Sequence, residues 1–169
     1  MLTSPSVLLN DEDFCTGSWR ELLVVIWRHD TTRKGIDACR QGLQDLQASH
    51  PNGCAVLSII EPNASMPPGD VRDELSRALR EFGDLIKASG VVFEGGGFRA
   101  AAVRSVVTGI SLVAKQPFPH KVFATVNAAS SWMAPSMPDG ATSPRELAEA
   151  VADIRRQLAE MSGGRSATI

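Results

Sequence analysis

Val91-Val92-Phe93-Glu94-Gly95-Gly96-Gly97-Phe98-Arg99-Ala100-Ala101-Ala102-Val103-Arg104 is the stretch on which the fold turns. Val91 to Glu94 begins as a β-branched and aromatic run, the pattern of a short strand buried on both faces. Gly95-Gly96-Gly97 then allows a tight turn with close packing. From Phe98 to about Lys115 the chain reads as a helix that is apolar around most of its circumference. Arg104, Thr108, Ser111 and Lys115 form its narrow polar stripe. A helix that apolar is covered on more than one side, by a sheet and by another helix or a partner subunit.

Upstream of this stretch, Val71, Leu75, Ala78, Leu79, Phe82, Leu85 and Ile86 recur at helical spacing, with Asp70 as the expected cap and Ser89-Gly90 as the stop. Glu61 to Gly69 carries Pro62, Pro67 and Pro68 and cannot be regular structure. Cys54 to Ile60 and Leu22 to Trp27 are buried strands, and Pro51-Asn52-Gly53 is a turn. Between those strands Ile36, Cys39, Leu43 and Leu46 mark a helix capped by Thr31 or Thr32. Phe14 to Trp19 carries a weaker pattern, that of a short edge strand.

Downstream, Gln116-Pro117-Phe118-Pro119-His120 breaks the apolar helix. Lys121 to Thr125 is the next strand, and Val126 to Met133 a short helix carrying Trp132 inward. Ser143, Pro144 and Glu146 form a capping box with proline at the first helical position. Leu147, Val151, Ile154, Leu158 and Met161 give that last helix its apolar stripe. The layout is an N-terminal segment, 1–18, partly irregular; an α/β domain, 19–134; a linker, 135–144; a C-terminal helix, 145–161; and a disordered tail, 162–169. Strands alternating with helices imply a mostly parallel sheet of four to five strands with helices packed on it.

Composition bounds the function. The 169 residues are 43% hydrophobic and 21% charged, with a net charge of -2, so the chain is expected to be one soluble globular domain. The charge balance offers no dominant attraction to nucleic acid. Met1 to Asn10 lacks the basic and apolar regions of a signal peptide, and no apolar run is long enough for a spanning helix. A cytoplasmic protein without membrane insertion is expected. Cys15, Cys39 and Cys54 show no metal-ligand spacing and read as small buried hydrophobes.

A parallel sheet gathers the loops after its strand C-termini along one edge. The candidate binding residues therefore converge: Arg28, His29 and Asp30 after one strand, Glu61 and Asn63 after the next, and Glu94, Gly95, Gly96, Gly97, Phe98, Arg99 and Arg104 at the glycine turn. Bare amides at a helix N-terminus can hold an anion, but Glu94 repels one unless Arg99 or Arg104 pairs with it. His29, Asp30, Glu61 and Glu94 carry groups suited to a divalent cation, at a spacing that is not diagnostic. No catalytic residue, metal or cofactor is assigned. His50 and His120 sit beside prolines and read as ordinary surface residues.

Two resemblances bear on activity. Phe93-Glu94-Gly95-Gly96-Gly97-Phe98-Arg99 resembles the oxyanion-hole turn of patatin-like lipases. Ser105, Ser111, Ser130 and Ser131 all lack the G-x-S-x-G context that such an acyl hydrolase needs. The order of elements from Glu21 to Met133, closing with Val122-Phe123-Ala124-Thr125-Val126-Asn127-Ala128-Ala129-Ser130-Ser131-Trp132-Met133, resembles the bacterial anti-sigma-factor-antagonist-like (STAS-like) fold. That resemblance implies a non-catalytic regulatory or scaffold domain in signalling, which binds a protein partner. Members in signalling carry a phosphorylated serine at the start of the helix after the central turn. Glu94 to Val103 contains no Ser or Thr, so that switch does not carry over. A homodimer through the apolar helix and a small-molecule or anion sensor using the same edge are the further expectations.

Overall fold

The computed structural model describes residues 4–97, 100–102, 105 and 118–166. Six strands form one sheet in the order β1 (Ser6–Asn10), β2 (Phe14–Trp19), β3 (Leu22–Trp27), β4 (Cys54–Ile60), β5 (Ile86–Phe93) and β6 (His120–Phe123). The β1–β2 and β2–β3 pairs are antiparallel; β3–β4, β4–β5 and β5–β6 are parallel. The expected α/β class and mostly parallel sheet hold. The sheet is wider than four to five strands because the N-terminal segment contributes β1 and β2. Phe14–Trp19 lies inside the sheet and not at its edge. β1 holds the edge, and an irregularity between Val7 and Leu9 leaves Leu8 exposed.

Helices cover both faces. α1 (Arg33–Ser49) and α2 (Gly69–Glu81) lie on one, α3 (Val126–Met133) and α4 (Pro144–Ser166) on the other. Strand alternation sorts the core accordingly. Leu22, Val24, Ile26, Leu57 and Val92 meet α3 and α4, whereas Leu23, Val25, Trp27 and Val56 share the core of α1 and α2. Side chains press close on several glycines. A Cβ on Gly90 would stand 2.7 Å from Met133 Sδ, and one on Gly17 would stand 2.8 Å from Ile154.

Local signals explain most boundaries. Thr32 caps α1 by accepting from the Gly35 amide at 3.1 Å, and Thr125 caps α3 in the same way. Ser143 and Glu146 form the expected reciprocal box: Ser143 N–H donates to Glu146 Oε2 at 2.9 Å, and Glu146 N–H to Ser143 Oγ at 3.2 Å. Asp70 is not a cap. Pro68 holds that position without a side-chain bond, and Asp70 pairs with Arg33 at 3.2 Å.

Further differences are packing effects. α2 ends at Glu81, and Ile86 opens β5 instead of extending the helix. The stretch 135–144, read as a linker, buries Met137, while Asp139 accepts from the Ala141 and Thr142 amides. α4 continues to Ser166, past the expected end at Met161, and Met161 is 44% exposed instead of joining the stripe. Trp132 is only partly buried, its ring tilted against Phe123 at 5.4 Å. Residues 100–102 and 105 are helical. The rest of the Phe98–Lys115 expectation, including Thr108 and Ser111, falls outside the described residues.

Candidate functional site

The parallel strands end level with one another. Trp27 pairs with Ile60, and Ile60 with Phe93. The next backbone bonds continue this ladder: Glu61 N–H donates to Trp27 O at 2.9 Å, and Glu94 N–H to Ile60 O at 3.0 Å. Arg28, Glu61 and Glu94 therefore occupy equivalent positions, one residue past each strand. By alternation they face the α3–α4 side. The structure gathers them along one edge as the sequence predicts.

What neutralises this row is Arg155 of α4. Its guanidinium grips Glu94 as a two-toothed fork, Nη1 to Oε2 at 2.7 Å and Nη2 to Oε1 at 2.8 Å. Glu61 lies 3.6 Å away from the same group. The Glu94 hydrogen bonds raise the Arg155 pKa, against the opposing effect of burial. This bidentate contact is the strong geometry for arginine and carboxylate. Phe98, Arg99 and Arg104 lie outside the described residues.

The remaining candidates divide. Arg28 donates to Asn10 Oδ1 and to the Asp11 carbonyl, both at 3.1 Å. His29 Nδ1 lies 3.0 Å from the Glu12 carbonyl. Asp30 accepts from Ser65 Oγ, and its amide donates to Asp13 Oδ1 at 3.3 Å. This part of the edge is thus tied to the β1–β2 loop and to the loop after β4, where Asn63 is exposed. His29 and Asp30 do not join Glu61 and Glu94 around a common point. Among the described residues no group of three or more His, Cys, Asp or Glu is placed to hold a metal ion.

Each glycine of the turn has a different role. A Cβ on Gly95 would stand 2.6 Å from the Phe93 ring, so this position is reserved by close packing. Gly97 has φ +66, in the left-handed region. Gly96 is exposed, with open space where a side chain would project. The turn presents backbone outward beside a charge row that is already paired.

A second feature lies on the opposite face, between the sheet and α1 and α2. A cavity of about 150 Å³ is lined by Val25, Trp27, Ile36, Leu75 and Val91, with Ser89 and His120 among its polar groups. His120 is not the ordinary surface residue its flanking prolines suggest. It opens β6, pairs in register with Ser89, and places Nδ1 2.9 Å from Ser89 Oγ. Burial lowers its pKa. His50, the other histidine read as surface, stands 3.8 Å from Glu21. Cys39 also lines the cavity, and burial pushes its thiol pKa up to about 12.

No signal within α4 marks Arg155, which follows the fully buried Ile154 and partners a residue 61 positions away. Ser89 and His120 are 31 residues apart, and only the β5–β6 register joins them.

Comparison with known proteins is sparse. No protein-family model matches the chain, and no curated protein matches it. It is similar to the crystal structure of an uncharacterized protein from the DUF3478 family, with a SpoIIAA-like fold, from Shewanella loihica PV-4. The identity is 13%, the TM-score 0.48, and the match covers 78% of this chain and 95% of that one. What defines the architecture here is the chain's own strand order and registers. Among the described residues, no helix is long and apolar enough to cross a membrane.

Proposed function

We propose that the chain is a non-catalytic regulatory or scaffold domain that binds a protein partner through its strand-end loops and the glycine turn. The observation that carries this reading is the exposed backbone at Gly96 and Gly97, beside the Arg155–Glu94 pair. Backbone donors and acceptors without side-chain cover suit a complementary main chain, and a neutralised rim lowers the cost of removing the edge from water. Cytoplasmic placement belongs to the same proposal.

Gly96→Arg is the direct test, because the new side chain enters open space and leaves the fold intact. Affinity capture from native cytosol with wild-type and Gly96→Arg protein is expected to show specific partners lost from the variant. Equal capture by both would remove the turn from the interface. A sensor that binds an anion at this edge is the second reading, tested by thermal shift with phosphate. Arg155 is already engaged by Glu94 and faces Glu61, which leaves it poorly placed to take an anion and favours the protein partner.

A further inference from the structure

The last helix outruns the sheet it covers. α4 carries a sheet-facing stripe, Leu147, Val151, Ile154 and Leu158, all buried. Its later half lies over β1. Gln157 Nε2 donates to the Pro5 carbonyl at 2.9 Å, and Ile154 presses on Gly17, the register partner of Val7. β1 is the outermost strand on this side. Met161, three residues after Leu158, is the next position of the stripe. It is nevertheless 44% exposed, and the helix is exposed around it from Ala159 to Gly164. β1 itself is open. Its outer side pairs with no strand among the described residues, and Leu8 is 48% exposed. Ser6–Asn10 carries neither charge nor proline, the devices that usually keep an edge strand from pairing with another chain. The irregularity between Val7 and Leu9 shortens the run that can pair.

We propose that the occupant of this edge is a second copy of the chain. Two β1 strands meet antiparallel across a two-fold axis, and each α4 end covers the partner's β1. The overhang selects this occupant. A helix end that carries a sheet-facing stripe past the last strand fits a continuation of the same sheet. A second β1 supplies one, in the antiparallel sense that β1 and β2 already have. A two-fold axis sets like residues opposite each other, which a charged strand opposes and the uncharged Ser6–Asn10 permits. Each copy gives the same strand and the same helix end, so the contact closes at two chains and does not propagate. A short strand pair alone is marginal in water, and burial of Leu8 and Met161 adds the apolar contact it lacks.

Sedimentation velocity over a dilution series of the full chain is the test. Wild-type protein is expected to fall from twice the chain mass to the chain mass as it is diluted. Leu8→Lys places its ammonium in solvent in the single chain and brings two like charges together at the axis. It should be monomeric at every concentration, with an unchanged circular dichroism spectrum. Met161→Lys leaves β1 untouched and should move the dissociation midpoint to higher concentration, which keeps the test open if Leu8→Lys fails to fold. A wild-type chain that stays monomeric at the highest concentration overturns the proposal. So does a dimer that survives both substitutions, because its contact then lies elsewhere. Gly96→Arg, at the turn after β5, should leave the dimer intact, so loss of partner capture and loss of the dimer are separate results.

Discussion

The two faces of the sheet are packed to different ends. Against α3 and α4 the fit is close: Leu147, Ile154 and Met133 are fully buried, and Ile154 and Met133 press on Gly17 and Gly90, as Trp27 and Leu23 press on Gly35 and Gly42 of α1 on the other face. Against α1 and α2, part-buried Leu75 and Leu79 border open volume. Covering a sheet on both sides is a requirement of burial, but equal packing is not. One face acts as the clamp of the domain, and the other borders a cavity.

The largest predicted effect breaks the clamp. Ile154→Ala should cost about 3–4 kcal/mol, because the site is surrounded on all sides and collapses poorly. Leu79→Ala on the roomier face should cost about 1 kcal/mol, since part of its side chain already meets empty space. Urea unfolding of both variants measures the contrast. Equal losses would mean that the faces do not differ.

Next in size is the contact by which the clamp reaches the binding edge. Arg155→Ala removes a two-bonded partner and leaves Glu61 and Glu94 facing each other's charge. The expected loss is about 1–2 kcal/mol, in the range of hydrogen bonds to charged groups and below that of a fully buried pair. Glu94→Gln in the Arg155→Ala background should restore part of it. Without such recovery in the double-mutant cycle, the repulsion argument is wrong.

The same contrast explains what the sequence made legible. Leu22–Trp27, Cys54–Ile60 and the cap of α4 were readable because their signals are local: continuous β-branched runs, and a serine three residues before a glutamate. β2 was weak because Gly17 and Thr16 dilute its pattern, and the reason for that glycine, Ile154, lies on the last helix. By sequence pattern β5 starts at Val91, because Leu85 and Ile86 prolong the spacing of α2 while Ser89-Gly90 imitates a stop. In the fold Gly90 is a landing place for Met133. The edge itself was foreseeable from strand order. Arg155 and the Ser89–His120 pair were not, since nothing local ties either to its partner.

A smaller effect distinguishes the roomy face by pH. Burial lowers the His120 pKa below its ordinary value, so the folded state holds fewer protons there than the unfolded chain. Stability therefore rises with pH across this window and is lost as pH falls from about 6.5 toward the lowered folded value. Among the described residues, the other titratable wall groups, Cys39 and Arg40, keep their charge states over that range. Urea midpoints at pH 7.5 and pH 5 should separate more for wild-type protein than for His120→Phe. Equal separation would show that His120 carries none of the slope.

The smallest change should be a gain. Ser58 sits on β4 against the cavity, half-buried. Ser58→Val exchanges a hydroxyl for two methyls on a strand, where β-branched residues fit, and extends them into unoccupied volume. Filling such space commonly adds about 0.5–1 kcal/mol. The same substitution on the tightly packed face has no room to succeed: Ala129→Val, at a fully buried site on α3, should lose stability through overpacking. A gain at Ser58 together with a loss at Ala129 is what unequal packing requires.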